Sequence, residues 1–289
     1  MTYTLFVDSG SNLPARKLQE LSIQVIPFSY EMDGAVHLCP EYPDGFDGHN
    51  YYERLRQGAS VKTSLISSGE FYDKFRPAVA EGHDLMYVGI SSGISGTVQS
   101  ALVAAEQLME EFPARRVRVV DSMGAGLGTG ILACRAADYR NDGLDIDRAV
   151  EKLNRDRLNL CEYFTVDNLM FLKRTGRVSG VTATIGTMLQ IKPMLRGDEE
   201  GKIVVCGKIR GRKRAIAELT DIYAKKVVDA GAQRVAISHG DCLEEAQMLA
   251  EKIRAVANPK ELILSMHEPL TGAHVGPGML AVFFFGDGR

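Results

Sequence analysis

The apolar positions of this chain fall into two alternating periods. Short runs at Leu5–Ser9, Leu85–Ile90 and Val117–Ser122 are dense in Val, Leu and aromatic residues and end in small or polar ones. Each is followed by a stretch in which apolar side chains recur every three or four residues: 13–22, 96–112 and 125–140. Continuous apolar runs with helices between them are the pattern of a parallel sheet covered on both faces. Residues 23–36 predict a hairpin turning at Asp33-Gly34. Helical spacing returns over 48–58 and 69–80, and the KTSLISS stretch between them reads as a loop. A second pattern begins with a helix over 145–158. It continues as a strand (LCEYFTV), a segment broken at Gly176 and Gly180, a hairpin over 193–209, a helix over 212–231, a strand (RVAISH), a helix over 244–256, a strand (ELILSMH) and an apolar strand in GPGMLAVFFFG. The fold class is α/β, with a boundary near residue 158.

Composition narrows the function classes. The chain has 289 residues, 45% of them apolar and 25% charged, a globular profile with length enough for two α/β domains. A net charge of −3 gives no overall attraction to nucleic acid or an anionic membrane. The five cysteines, Cys39, Cys134, Cys161, Cys206 and Cys242, contain no C-x-x-C pair. That dispersion suits a reducing compartment and small core residues better than disulfides or zinc. The opening MTYTLFVDSGSNLP lacks a signal-peptide pattern, and no segment reaches the roughly 18 apolar residues needed to cross a bilayer. A cytoplasmic protein is expected.

Three predicted strands end in loops rich in small hydroxyl residues: Asp8–Ser11, Ser91–Thr97 and Asp121-Ser122. In open α/β sheets ligands collect at such carboxyl ends. The second loop opens a helix with a predicted apolar stripe of Val98, Ala101, Leu102, Ala105, Leu108 and Phe112. Free amides, the positive helix end and the Ser95 hydroxyl would hold a carboxylate or phosphate, or Ser95 simply caps the helix. Gly89-Ile90-Ser91-Ser92-Gly93 matches G-x-S-x-G literally, so a hydrolase using Ser91 or Ser95 with His274 is an alternative, although no oxyanion loop accompanies it. His274, before a Gly-Pro-Gly turn, is either a structural hydrogen-bonder or a ligand contact, and His267 is a weaker candidate. Gly124–Gly128 lacks dinucleotide spacing and reads as tight packing at a helix start, and no metal-ligand spacing is present. Basic residues cluster at Lys173, Arg174 and Arg177 and again over Lys208–Arg214. They are solvated surface, a docking patch or a phosphate contact; a regulatory or nucleic-acid-binding role for Arg210–Arg214 lacks interleaved aromatics.

Taken in order, DSGSNLP (8–14), TSLISSGEF (63–71), ISSGISGTVQSA (90–101), DSMGAGLGTG (121–130), FLKRTGRVSG (171–180), IKPML (191–195), GKI with KIRGRKRA (201–215) and HVGPGMLAVFFFG (274–286) resemble the DegV family. The resemblance implies a non-catalytic protein that binds a long-chain fatty acid, such as palmitate, stearate or oleate, as ligand and needs no other cofactor. It implies two α/β domains, here 1–157 with a largely parallel sheet and 158–289 with a mixed sheet. It also implies carboxylate binding by Thr63, Ser95 and His274, with Arg177 and Arg210 near the head group or in kinase docking. Some family members are the acyl-carrier subunits of bacterial fatty acid kinase, so a kinase catalytic subunit is the implied partner and acyl phosphate for phospholipid synthesis the product. Thr175 departs from the family pattern, which often has Gly there. An apolar tunnel suits the composition: eleven Met and no Trp fit an adaptable lining as well as an ordinary core.

Overall fold

The computed structural model describes residues 3–179 and 190–289. The chain starts with β1 (Thr4–Asp8), α1 (Ala15–Glu20) and β2 (Ile23–Ile26), then β3 (Ser29–Met32) and β4 (Ala35–Leu38). Next come α2 (Gly48–Arg56), β5 (Val61–Ser64), α3 (Ser68–Ala80), β6 (Leu85–Gly89), α4 (Thr97–Glu111), β7 (Val117–Asp121), α5 (Leu127–Asn141) and α6 (Ile146–Asp156). The second half holds β8 (Leu160–Thr165), α7 (Met170–Arg174), β9 (Val178–Ser179), β10 (Ile191–Gly197), β11 (Ile203–Arg210) and α8 (Arg212–Lys226). It ends with β12 (Arg234–His239), α9 (Leu243–Val256), β13 (Glu261–Met266), α10 (Pro269–Val275) and β14 (Leu280–Phe285).

These strands form three sheets among the described residues. One is four-stranded in the order β2-β1-β6-β7, parallel throughout; one is three-stranded, β4-β3-β5; the third is seven-stranded and mixed, β13-β12-β14-β8-β10-β11-β9. Two of the apolar runs are the central strands β1 and β6 of the parallel sheet, as their continuous hydrophobicity requires, and the third, β7, lies at its edge. In β14 the period of two divides labour: Leu280, Val282 and Phe284 pack with α8 and α9, while Ala281, Phe283 and Phe285 face the other way. On that side lies α5, which contacts strands of both large sheets and is buried along most of its length. The expected division at 157/158 falls in the turn between α6 and β8, and one buried cluster runs across it from Tyr3 to Phe285.

Several local expectations change. KTSLISS is not all loop: its first residues lie on β5, which pairs antiparallel with β3, placing Thr63 opposite Tyr30. Its polar, half-exposed pattern hid a strand that only long-range pairing makes. The rest of the stretch builds a capping box for α3, in which Glu70 N–H donates to Ser67 Oγ at 3.2 Å and Ser67 N–H to Glu70 Oε2 at 2.8 Å. The hairpin at Asp33-Gly34 forms, both residues having positive φ, but Ile23–Ile26 belongs instead to the parallel sheet. The helix expected over 212–231 stops at Lys226, where Val227 turns extended. On α4, Leu102 is 38% exposed and Ala104 takes its place in the buried stripe. Finally, α10 was not anticipated. Pro269 stands in its first turn, and the Glu268 carboxylate accepts from Leu270 N–H (2.6 Å) and Thr271 N–H (2.9 Å), so local capping starts a helix in a segment whose Pro and Gly read as breakers.

Candidate functional site

Between the three sheets lies a cavity of about 440 Å3, within the range of roughly 300–1,000 Å3 usual for small-molecule sites. Its walls come from different layers. The loop after β6 supplies Ile90, Ser92 and Ser95, the end of β5 supplies Thr63 and Leu65, and the mixed sheet supplies Phe164, Ala281 and Phe283. α10 contributes Leu270, Thr271 and His274, and Arg177 lies beyond α7. Apart from a few polar groups the lining is apolar.

The polar groups gather on strand and helix ends. Thr63 Oγ1 and His274 Nε2 share a hydrogen bond of 3.0 Å, joining β5 to the last turn of α10. His274 Nδ1 is buried and has no partner among the described residues. Burial, and secondarily the charges of Arg177 and Arg174, push the imidazole down to about 4, so it is neutral at pH 7. Ser95 precedes α4 and accepts from Thr97 N–H at 3.3 Å, while its Oγ and that of Thr97 lie 2.8 Å apart. The N-cap position of α4 is Gly96, which makes no side-chain cap bond, and Ser95, one residue earlier, lines the cavity. The loop is held from below, because the Asp121 carboxylate accepts from Ser92 N–H (3.2 Å) and Ser92 Oγ (2.5 Å).

Thr63, Ser95, His274 and Arg177 thus line one cavity. Arg210 does not: it is exposed at the end of β11, beside Lys208, Arg214, Glu218 and Asp221 on a separate surface. The loop of Arg177 accommodates Thr175 in an ordinary right-handed conformation. The Thr175 hydroxyl donates to Phe171 O at 3.0 Å, and the left-handed residue is Gly176 at φ +69. Of the FLKRTGRVSG block, Gly180 lies outside the described residues. Asp8, in the first small-residue loop, is structural: buried, pushed up to about 6 by desolvation, and accepting from Tyr87 OH (2.6 Å) and Ile90 N–H (3.0 Å). Ser91 is also buried, its hydroxyl donating to Gly201 O at 2.7 Å.

Sequence reasoning missed Glu162, which also lines the cavity. The available signal was one acidic residue in the apolar strand LCEYFT, on the same face as Phe164. Gly124 and Gly128 pack against it with no room for a Cβ, which realises the expected tight packing of that run. Among the described residues there is no cluster of three potential metal ligands, and no helix is long and apolar enough to cross a membrane.

Residues 2–287 match the model of the DegV family of uncharacterised proteins. The chain belongs to the DegV family. A DegV domain-containing protein of Clostridium perfringens is 36% identical over 289 residues, covering 99% of this chain and 98% of its own. Among solved structures, a DegV family protein from Thermus thermophilus described for its fatty acid binding is 30% identical and aligns with a TM-score of 0.87, over 99% of this chain and 100% of that one. DegV of Bacillus subtilis, described as a fatty acid binding protein, is 28% identical with a TM-score of 0.84, over 99% and 100%. The α/β architecture, with its parallel and mixed sheets, is that of the DegV family.

Proposed function

We propose that this chain binds a long-chain fatty acid such as palmitate, stearate or oleate, with its carboxylate on Thr63, Ser95 and His274, and catalyses no reaction itself. The observation that carries the reading is a largely apolar cavity of about 440 Å3 whose polar groups include these three side chains. Two DegV relatives described as binding fatty acids, at 30% and 28% identity, support it. A C16 tail gains on the order of 10 kcal/mol of gross burial at roughly 0.8 kcal/mol per methylene, before ordering costs. The carboxylate has then only to be satisfied. Two hydroxyls, the neutral His274 and the amino-terminal end of α4 are a set able to do that.

In this reading a partner kinase phosphorylates the bound carboxylate in the cytoplasm, and the acyl phosphate goes on to phospholipid synthesis. Arg177 at the cavity wall, and the exposed Lys208, Arg210 and Arg214, are the cationic groups available to that partner. The hydrolase alternative has less support: Ser91 is buried and bonded to Gly201, and His274 Nε2 meets Thr63 rather than a serine. The nucleic-acid alternative is weakened because Arg212 is bound to Glu245 at 2.6 Å.

Native mass spectrometry and lipid extraction of protein purified from cells are expected to reveal a co-purifying long-chain fatty acid. A protein that emerges empty and also refuses added palmitate and oleate would refute the reading.

A further inference from the structure

The head-group reading leaves a second polar region of the cavity unused. Glu162 on β8, His267 after β13 and Thr271 on α10 all line it, around the start of α5. Ala125 N–H donates to Glu162 Oε1 at 2.9 Å, and Arg289, buried itself, donates to Oε2 at 3.3 Å. His267 Nδ1 shares a hydrogen bond of 3.0 Å with Thr271 Oγ1, which also donates to Glu268 Oε1 at 3.0 Å and accepts from Asn12 Nδ2 at 3.2 Å, so the Thr271 hydroxyl is already satisfied. The glycines before α5 let these groups approach: a Cβ on Gly126 would lie 2.6 Å from His267 Cε1, and one on Gly124 2.6 Å from Glu162 Oε1.

Glu162 is displaced along the floor of the cavity from α10, which carries both Thr271 and His274. Thr165 pairs with Leu280, just past α10, and Glu162 lies three residues back along β8, or about 10 Å at roughly 3.3 Å per residue. A carboxylate has about four acceptor sites, and the described residues use two of those on Glu162. Burial pushes this carboxyl up to about 7, so near neutral pH it exchanges between an acceptor and a form that also donates. His267 is held neutral, pushed down to about 3 by burial. A saturated tail running past these groups removes water from them and returns no hydrogen bond, a poor match for a wall built this way.

We propose that Glu162 forms a subsite for a hydroxyl group carried on the acyl chain, so that the cavity prefers hydroxylated long-chain acids to plain ones. This rests on the fatty-acid reading above. The test is calorimetric titration of the whole chain with stearic, 10-hydroxystearic and 12-hydroxystearic acid, using the parent, Glu162→Leu and Glu162→Gln. The parent is expected to bind one of the hydroxy acids about tenfold tighter than stearic acid, and the ratio to vary between pH 6 and 8. Glu162→Leu is expected to level the ratio while stearic acid still binds. Glu162→Gln, which retains an acceptor without a titrating group, is expected to keep a preference that no longer depends on pH, and covers the case in which the Leu variant fails to fold. Equal affinities in the parent would overturn the subsite and leave the fatty-acid reading standing. Binding of none of the three acids would overturn both. A preference surviving in folded Glu162→Leu, or a pH dependence surviving in Glu162→Gln, would also overturn it.

Discussion

On the side of the parallel and three-stranded sheets, the cavity wall is made of a strand end, a loop and a helix start, and it carries Thr63, Ser92 and Ser95. On the side of the mixed sheet it is made of strand interiors, and it carries Phe164, Ala281 and Phe283. The difference follows from where backbone groups are free. Inside a sheet every amide is paired, so a wall of strand interiors offers only side chains, alternately in and out. At strand and helix ends the backbone has donors to spare, and small hydroxyl residues settle there. One wall therefore suits a charged head and the other a tail, with Glu162 the exception on the tail wall.

The sharpest way to break this comparison is to fill the tail wall. Ala281→Phe should project its ring into the cavity and displace about three methylenes of ligand, worth roughly 2.4 kcal/mol, or about a 50-fold loss of palmitate affinity. Calorimetry would measure it, and unchanged affinity would mean the tail runs elsewhere. The head wall should respond less. Thr63→Val removes one hydroxyl and leaves His274 Nε2 without that partner, which is expected to weaken binding about tenfold; Ser95→Ala, near a helix end with other donors, should weaken it only several-fold. If both variants match the parent in affinity and in any kinase-coupled phosphorylation, the head-group assignment is wrong.

The smallest effect concerns pH and stability. His274 is pushed down from 6.5 to about 4 in the fold, so below pH 6.5 the unfolded chain binds more protons and stability falls as the pH falls. Between pH 7 and 6 this amounts to about 0.7 kcal/mol. Glu162, pushed up from 4.5 to about 7, acts oppositely: the folded chain holds the extra proton, and its contribution is lost as the pH rises through 7. Urea unfolding from pH 6 to 8 should show opposite changes of slope in His274→Gln and Glu162→Gln. Parallel curves for both variants and the parent would contradict the buried, perturbed state of these groups.

The order of strands and helices was readable from periodicity, because burial on both faces of a parallel sheet leaves continuous apolar runs, and covering helices leave a 3.6-residue stripe. The Ser95 loop was readable for the same local reason, as a small-residue turn from a strand into a helix. Thr63 entered only through resemblance to the DegV blocks, while His274 stood out as the histidine before Gly-Pro-Gly, with its role left open. The residues that make them neighbours, β5 in a polar stretch and α10 behind Pro269, have weak local signals and form through pairing and capping. Glu162 had a signal, an acid in an apolar strand, with no way to say what it faced.

By itself, then, the sequence determined the α/β alternation, the anion-suited helix start at Ser95 and, through its ordered blocks, membership of the DegV family. Only the tertiary structure decided that Thr63 meets His274 across 211 residues of chain, that Arg177 joins them while Arg210 stays outside, and that Glu162 forms a second polar region. Periodicity reports which face of an element is buried, and nothing local reports what lies opposite it. A cavity between sheets is made of that opposition.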